Sequence, residues 1–126
     1  MKRLIGGRPL AMKSGNYCSE AGDFIWIDLD PVVDHEQSGR RPAIVLSPHN
    51  YNSVAGLCVI CPITSRVRDY PFEAMLPDSA SFRDVVLADQ PRSISWEKRP
   101  VKHAGRAPDI VLTEVRERMA ALLGID

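Results

Sequence analysis

The sequence predicts a mainly β protein, a small barrel or sandwich of short strands with one helix packed against it. Three observations carry that expectation. Short runs of alternating or continuous apolar residues recur at regular spacing, bounded by Gly, Pro, Asn, Asp and Ser. Only the last fifteen or so residues carry a helical period. The 126 residues, 44% hydrophobic and 25% charged, fit one ordinary globular domain with a real core.

Taken in order, residues 1–21 hold Gly, Pro, Ser and Asn without periodicity and are expected to form a poorly ordered extension, leaving 22–126 as the folded domain. The stretch GDFIWIDLDPVVDHEQSGRRPAIVLSP, Gly22 to Pro48, organises that domain. Its first strand, Asp23 to Leu29, alternates Ile25, Ile27 and Leu29 with Phe24, Trp26 and Asp28. Its second is Pro42 to Ser47. The connection, Asp30 to Arg41, exceeds the roughly two to five residues a hairpin needs, and such excess is usually functional. It gathers Asp34, His35, Glu36, Gln37, Arg40 and Arg41, groups that move protons or bind anions.

A polar turn is expected over His49 to Gly56, then a buried strand from Leu57 to Ile63 closed by Thr64. Ser65 to Asp69 reads as a basic loop, Phe72 to Leu76 as a half-buried strand, PDSASFRD as a turn-rich loop and Val85 to Leu87 as a short strand. In ADQPRSISW, Pro91 argues for an edge or a bulge, and Lys98 to Ala107 reads as a basic loop or weak hairpin. The final helix, Pro108 to Leu123, has Pro and Asp109 in its first turn and Gly124 as its stop. Val111, Val115, Met119 and Leu122 define its apolar face.

Composition excludes several classes. No run approaches the ~18 apolar residues of a membrane span, and MKRLIGGRPLAM lacks the apolar core of a signal peptide. A cytoplasmic location is therefore expected. Cys18, Cys58 and Cys61 are an odd set and suggest no disulfide framework. Cys58 and Cys61, three apart on one strand, point to opposite faces, which favours packing over shared metal ligation. Net charge is zero, but Arg40, Arg41, Arg66, Arg68, Arg92, Lys98, Arg99 and Lys102 lie in or beside loops, as a solvated rim or a local phosphate-binding patch. Dinucleotide, P-loop, nucleophile-elbow and zincin motifs are missing, and His35, His49 and His103 have no metal-ligand spacing.

What remains is Glu36 and His35 near Arg41, with Thr64 at another strand end. Cleavage of RNA through its own 2′-hydroxyl asks for such parts: a group to loosen the 2′ proton, donors for charge building on phosphate oxygens, and a proton for the departing 5′ oxygen. A guanidinium fork matches two phosphoryl oxygens, and a hydroxyl supplies one more aimed donor. By residue type alone, an Arg and a Glu in a loop are more often a surface ion pair than catalytic groups.

The motifs GDFIWIDLDP, EQSGRRPAIVLSP, CPITS, YPFE and LADQPRSISW, in this order from Gly22 to the helix ending near Gly124, resemble the MazF/PemK family of toxin endoribonucleases. The resemblance implies an SH3-like β-barrel with a C-terminal helix, assembled as a homodimer. It implies sequence-specific, metal-independent and cofactor-free cleavage of single-stranded RNA to 2′,3′-cyclic phosphate and 5′-hydroxyl ends. It also implies a cognate MazE-like antitoxin whose acidic tail occupies the RNA groove. Carried over by motif, the catalytic residues fall on Arg41, Thr64 and Glu36, and RNA contacts on Gln37, Ser65, Tyr70, Gln90 and Arg92. His35 stands where the family often has a small residue, and its ordinary pKa of about 6.5 suits it to contact phosphate or assist proton transfer. The alternatives are a gyrase poison on the related CcdB-like barrel, disfavoured because the chain ends Leu-Gly-Ile-Asp, and a barrel that binds RNA or protein without cutting.

Overall fold

The longest apolar run of the chain, LCVICPIT, forms the strand on which the others are laid. The structure is a computed structural model and describes residues 17–28, 40–77 and 84–125. Its elements are β1 (Asp23–Asp28), β2 (Arg40–Val45), α1 (His49–Ala55), β3 (Leu57–Thr64), β4 (Glu73–Met75), β5 (Val85–Leu87), β6 (Arg92–Ser95), β7 (Val101–Arg106) and α2 (Asp109–Leu123). All strand pairings are antiparallel, in the order β4-β5-β3-β2-β1-β7, with β6 also on β3. The mainly β, barrel-like expectation with a terminal helix holds, although the hydrogen-bonded path stays open between β4 and β7.

β3 is buried on both faces, which explains its continuous rather than alternating apolar sequence. Val59, Cys61 and Ile63 face a core shared with Phe24, Ile44, Val86 and the helix residues Val111 and Val115. Cys58 and Ile60 face a second core with Ile25, Ile27, Ala43, Val45, Ile94 and Trp96. The two cysteines thus lie on opposite faces, as their spacing predicts, and burial pushes both thiols up to about 12. One edge of β3 holds β2. The other is divided, with Leu57–Ile60 pairing β6 and Ile63–Thr64 pairing β5. Leu46 N–H donates to the Val59 carbonyl at 2.8 Å. By the two-residue alternation of an antiparallel ladder, Pro62 directs its missing N–H at the divided edge, in the gap between β6 and β5. A proline is tolerated in a central strand because no acceptor awaits it there.

Three expectations need correction. The polar turn over His49–Gly56 is helix α1, closed by Gly56 in the left-handed region at φ 72°. Its sequence, HNYNSVA, has poor helical propensity, and tertiary bonds override it. Asn52 is fully buried, donates its amide to the carbonyls of Ser19 and Ser47, accepts from the Ser47 hydroxyl, and offers its own carbonyl to the Trp96 indole. The loop or weak hairpin over Lys98–Ala107 contains the strand β7, paired along β1, whose exposed Lys102 and His103 suit an edge. In α2 the last apolar position, Leu122, is 46% exposed, whereas Val111, Val115 and Met119 pack against the core as expected, joined by Leu112. Gly124 N–H to the Ala121 carbonyl and Ile125 N–H to the Ala120 carbonyl close this helix as a Schellman motif.

Residues 17–21, assigned from sequence to the extension, lie against the sheet. Asp23 accepts from the Tyr17 hydroxyl, from Glu20 N–H at 2.9 Å and from the Arg106 guanidinium at 3.0 Å. Gly22, at φ 94°, leaves room for that guanidinium, which a Cβ would meet at 3.3 Å. Residues 1–16 lie outside the described residues. Among the described residues no helix is long and apolar enough to cross a membrane. Replacement of Asn52 by Ala strands several buried partners and is expected to cost about 2–3 kcal/mol. A urea melt should show the midpoint falling with unchanged slope.

Candidate functional site

Two strands that share a ladder in the core part company at its end. The β2–β3 register runs Val45↔Ile60, Ile44↔Cys61 and Ala43↔Pro62, then stops. The next residue of β2 is Pro42, which has no N–H to give, and the bonding alternation aims that missing donor at β3. Beyond it Arg40 to Pro42 stay with β1, while Ile63 and Thr64 turn to β5. Continued past the break, the register sets Arg41 opposite Thr64. Both share the parity of Ala43, Val45, Cys58 and Ile60, so they belong to the sheet face of the second core, at its open end.

Thr64 lines a groove of about 420 Å³ with Arg66, Arg68, Tyr70, Glu73, Leu87, Asp89 and Gln90. Its hydroxyl accepts the Arg66 N–H at 3.1 Å, which occupies a lone pair and leaves the O–H to donate outward. Tyr70 donates its hydroxyl to Asp89 at 3.0 Å, and its ring meets Phe72 with centroids 5.9 Å apart. The hydrogen bond to Asp89, reinforced by that carboxylate's charge, raises the phenol above its ordinary pKa. The tie therefore stays protonated throughout the neutral range. Gln90 enters the groove from the turn after β5, where its N–H bonds the Leu87 carbonyl at 3.1 Å.

Of the residues predicted from sequence, the groove brings together Thr64, Tyr70 and Gln90; Arg41 is not among its lining residues, and only the β2–β3 register, continued past its last pair, sets it opposite Thr64. Ser65 is exposed beside the groove without lining it, and Arg92 lies on β6 opposite Ile60, also outside the lining. Glu36, His35 and Gln37 lie outside the described residues. Sequence reasoning missed Glu73 and Asp89, and took Arg66 and Arg68 only as a basic loop. The signal for Glu73 was a carboxylate inside a strand that otherwise reads as half-buried and apolar. A second hollow of about 310 Å³ adjoins the β1–β2 edge, where the Arg40 guanidinium lies 5.9 Å from the Trp26 ring.

Residues 20–123 match the family model for the PemK-like, MazF-like toxin of type II toxin–antitoxin systems. The endoribonuclease toxin MazF of Escherichia coli K12 is 41% identical over 109 residues, covering 86% of this chain and 96% of that protein. The endoribonuclease PemK of Escherichia coli is 36% identical over 109 residues, covering 82% and 81%. Among solved structures, a MazE–MazF complex from Deinococcus radiodurans superposes with a TM-score of 0.81 at 47% identity, covering 88% of this chain and all of that one. The chain belongs to the PemK/MazF family of toxins.

The Tyr70–Asp89 tie can be checked directly. Replacing Asp89 by Asn should bring the Tyr70 phenol down toward the ordinary value of about 10. The change is read from the Tyr70 Cζ chemical shift across an alkaline titration.

Proposed function

We propose that this chain is the toxin of a type II toxin–antitoxin system and that it is an endoribonuclease acting on single-stranded RNA. The observation that carries the reading is the parting of β2 and β3 after Ala43↔Pro62, past which the continued register sets Arg41 opposite Thr64, in a chain 41% identical to an endoribonuclease toxin. In the proposed reaction the 2′-oxygen attacks the adjacent phosphorus and the bond to the 5′-oxygen breaks. The products are a 2′,3′-cyclic phosphate and a 5′-hydroxyl. Because the nucleophile sits on the substrate, the enzyme's task is proton transfer and charge stabilisation, which needs no metal or cofactor.

Arg41 takes the role of clamping the phosphoryl oxygens with its guanidinium fork. Thr64 donates its outward O–H to the same developing charge, the direction left open by its bond from Arg66. Glu36 is assigned to the 2′ proton by its place in the EQ motif, with His35 and Gln37 contacting RNA beside it. Tyr70 and Gln90 supply a stacking face and an amide for splayed bases, and Ser65 and Arg92 extend the contact beyond the groove. The partners proposed are a second copy of the chain and a MazE-like antitoxin, whose complexes with MazF are among the superposable structures. The place of action is the cytoplasm, where such RNA is found. The family match gives no support to the gyrase-poison or non-cutting alternatives.

Purified wild type should cut long single-stranded RNA at discrete sites in excess EDTA. Arg41→Ala and Thr64→Ala should each lower the rate about 10²–10³-fold, the usual cost of one transition-state donor. Undiminished cutting by both folded variants would remove Arg41 and Thr64 from the chemistry.

A further inference from the structure

Glu73 is a charged residue in a three-residue strand, only 7% exposed, between the core residue Ala74 and the loop that follows Thr64. Buried carboxylates persist when they are well bonded, and cations are the commonest partners. Here the partner is backbone. Arg68 N–H lies 3.0 Å from each carboxylate oxygen, and Tyr70 N–H lies 3.3 Å from one of them. In return, the Glu73 N–H donates to the Tyr70 carbonyl at 2.9 Å. Between the two captured amides sits Asp69 at φ 59°, a left-handed conformation that a non-glycine residue holds only when its surroundings demand it. The Tyr70 hydroxyl on Asp89 and the Arg118 guanidinium on the Pro71 carbonyl fasten the far side of the same loop.

The consequence is geometric. Capturing the Arg68 amide rather than its guanidinium leaves the Arg66 and Arg68 side chains exposed, and both line the groove with Thr64 and Tyr70.

We propose that Glu73 is the positioning residue of this groove: its buried carboxylate fixes the 65–71 loop and thereby sets the affinity and base preference with which RNA is cut. The inference rests on the endoribonuclease reading, and adds to it a residue that touches neither the reacting phosphate nor its proton donors. The loop, not the chemistry, is what Glu73 holds. Losing it should therefore weaken substrate binding far more than turnover.

Three measurements test this together. In wild type, amide hydrogen exchange at Arg68 and Tyr70 should be slower than at Val67 and Asp69. In Glu73→Gln, which keeps the volume and one acceptor, and in Glu73→Ala, trypsin should cut after Arg66 and Arg68 faster than in wild type at temperatures well below each variant's Tm. On RNA, KM should rise about fivefold or more in Glu73→Gln and further in Glu73→Ala, with kcat changed less than about twofold. End-mapping should show a relaxed preference at one or more positions flanking the cut. Should Glu73→Ala fail to fold, Glu73→Gln and the wild-type exchange still decide. Wild-type cleavage with unaltered KM and cleavage motif in the folded variants overturns the inference alone. No cleavage by folded wild type overturns the endoribonuclease reading and this inference with it.

Discussion

Everything in this fold depends on one strand being shared. β3 pairs along one edge with β2 and along the other with β6 and then β5, and it is buried on both faces. A strand so placed must satisfy its backbone bonds with three neighbours while filling two cores, and that dictates an uninterrupted apolar sequence. Proline is admitted only at the change of partner, where Pro62 spares the structure an unmet donor. The end of such a strand is fixed from several sides. A hydroxyl there, on Thr64, is a well-located chemical group rather than a loop ornament.

The second proline of the pair does the opposite. Pro42 removes a donor where the β2–β3 ladder would otherwise continue, so the sheet opens instead of closing at Arg41 and Thr64. The mouth of the barrel is then framed by a rigid strand end on one side. On the other is a loop whose shape is imposed by the buried Glu73 carboxylate and by Tyr70 on Asp89. Functional groups are commonly carried on loops, and precision comes from the supports beneath them. In this chain the supports are unusually local: Arg66 N–H on Thr64, Arg68 and Tyr70 N–H on Glu73, each bond spanning no more than five residues along the backbone.

The strands, the terminal helix and the opposed faces of Cys58 and Cys61 were legible because each rests on a period, two for strands and near 3.6 for the helix. What escaped had no period of its own. α1 is a helix because Asn52 is captured by Ser19, Ser47 and Trp96, residues up to 44 positions away, and no local rule reports such bonds. β7 has the charged, glycine-bearing composition of a loop and becomes a strand only because β1 offers it an edge. Leu122 fits the helical stripe, yet the stripe outruns the sheet it covers. At the site, motif resemblance pointed to Thr64, Tyr70 and Gln90, and the structure gathers these three in one groove. The motifs YPFE and LADQPRSISW contain Glu73 and Asp89 but gave neither a role, because their work is to bond other residues rather than substrate.

We propose that RNA is cut by its own 2′-oxygen, held and relieved of charge where the β2–β3 register, continued past its last pair, sets Arg41 opposite Thr64. The most direct test uses a short RNA bearing the mapped cleavage site and a matched strand with a single 2′-deoxy substitution at the nucleotide before the scissile bond. The account predicts that the unmodified strand is cut to a 2′,3′-cyclic phosphate and a 5′-hydroxyl, and that the substituted strand binds but is not cut. Cleavage of the 2′-deoxy strand at the same bond would contradict it, because the attacking oxygen would then have to come from water or from the protein.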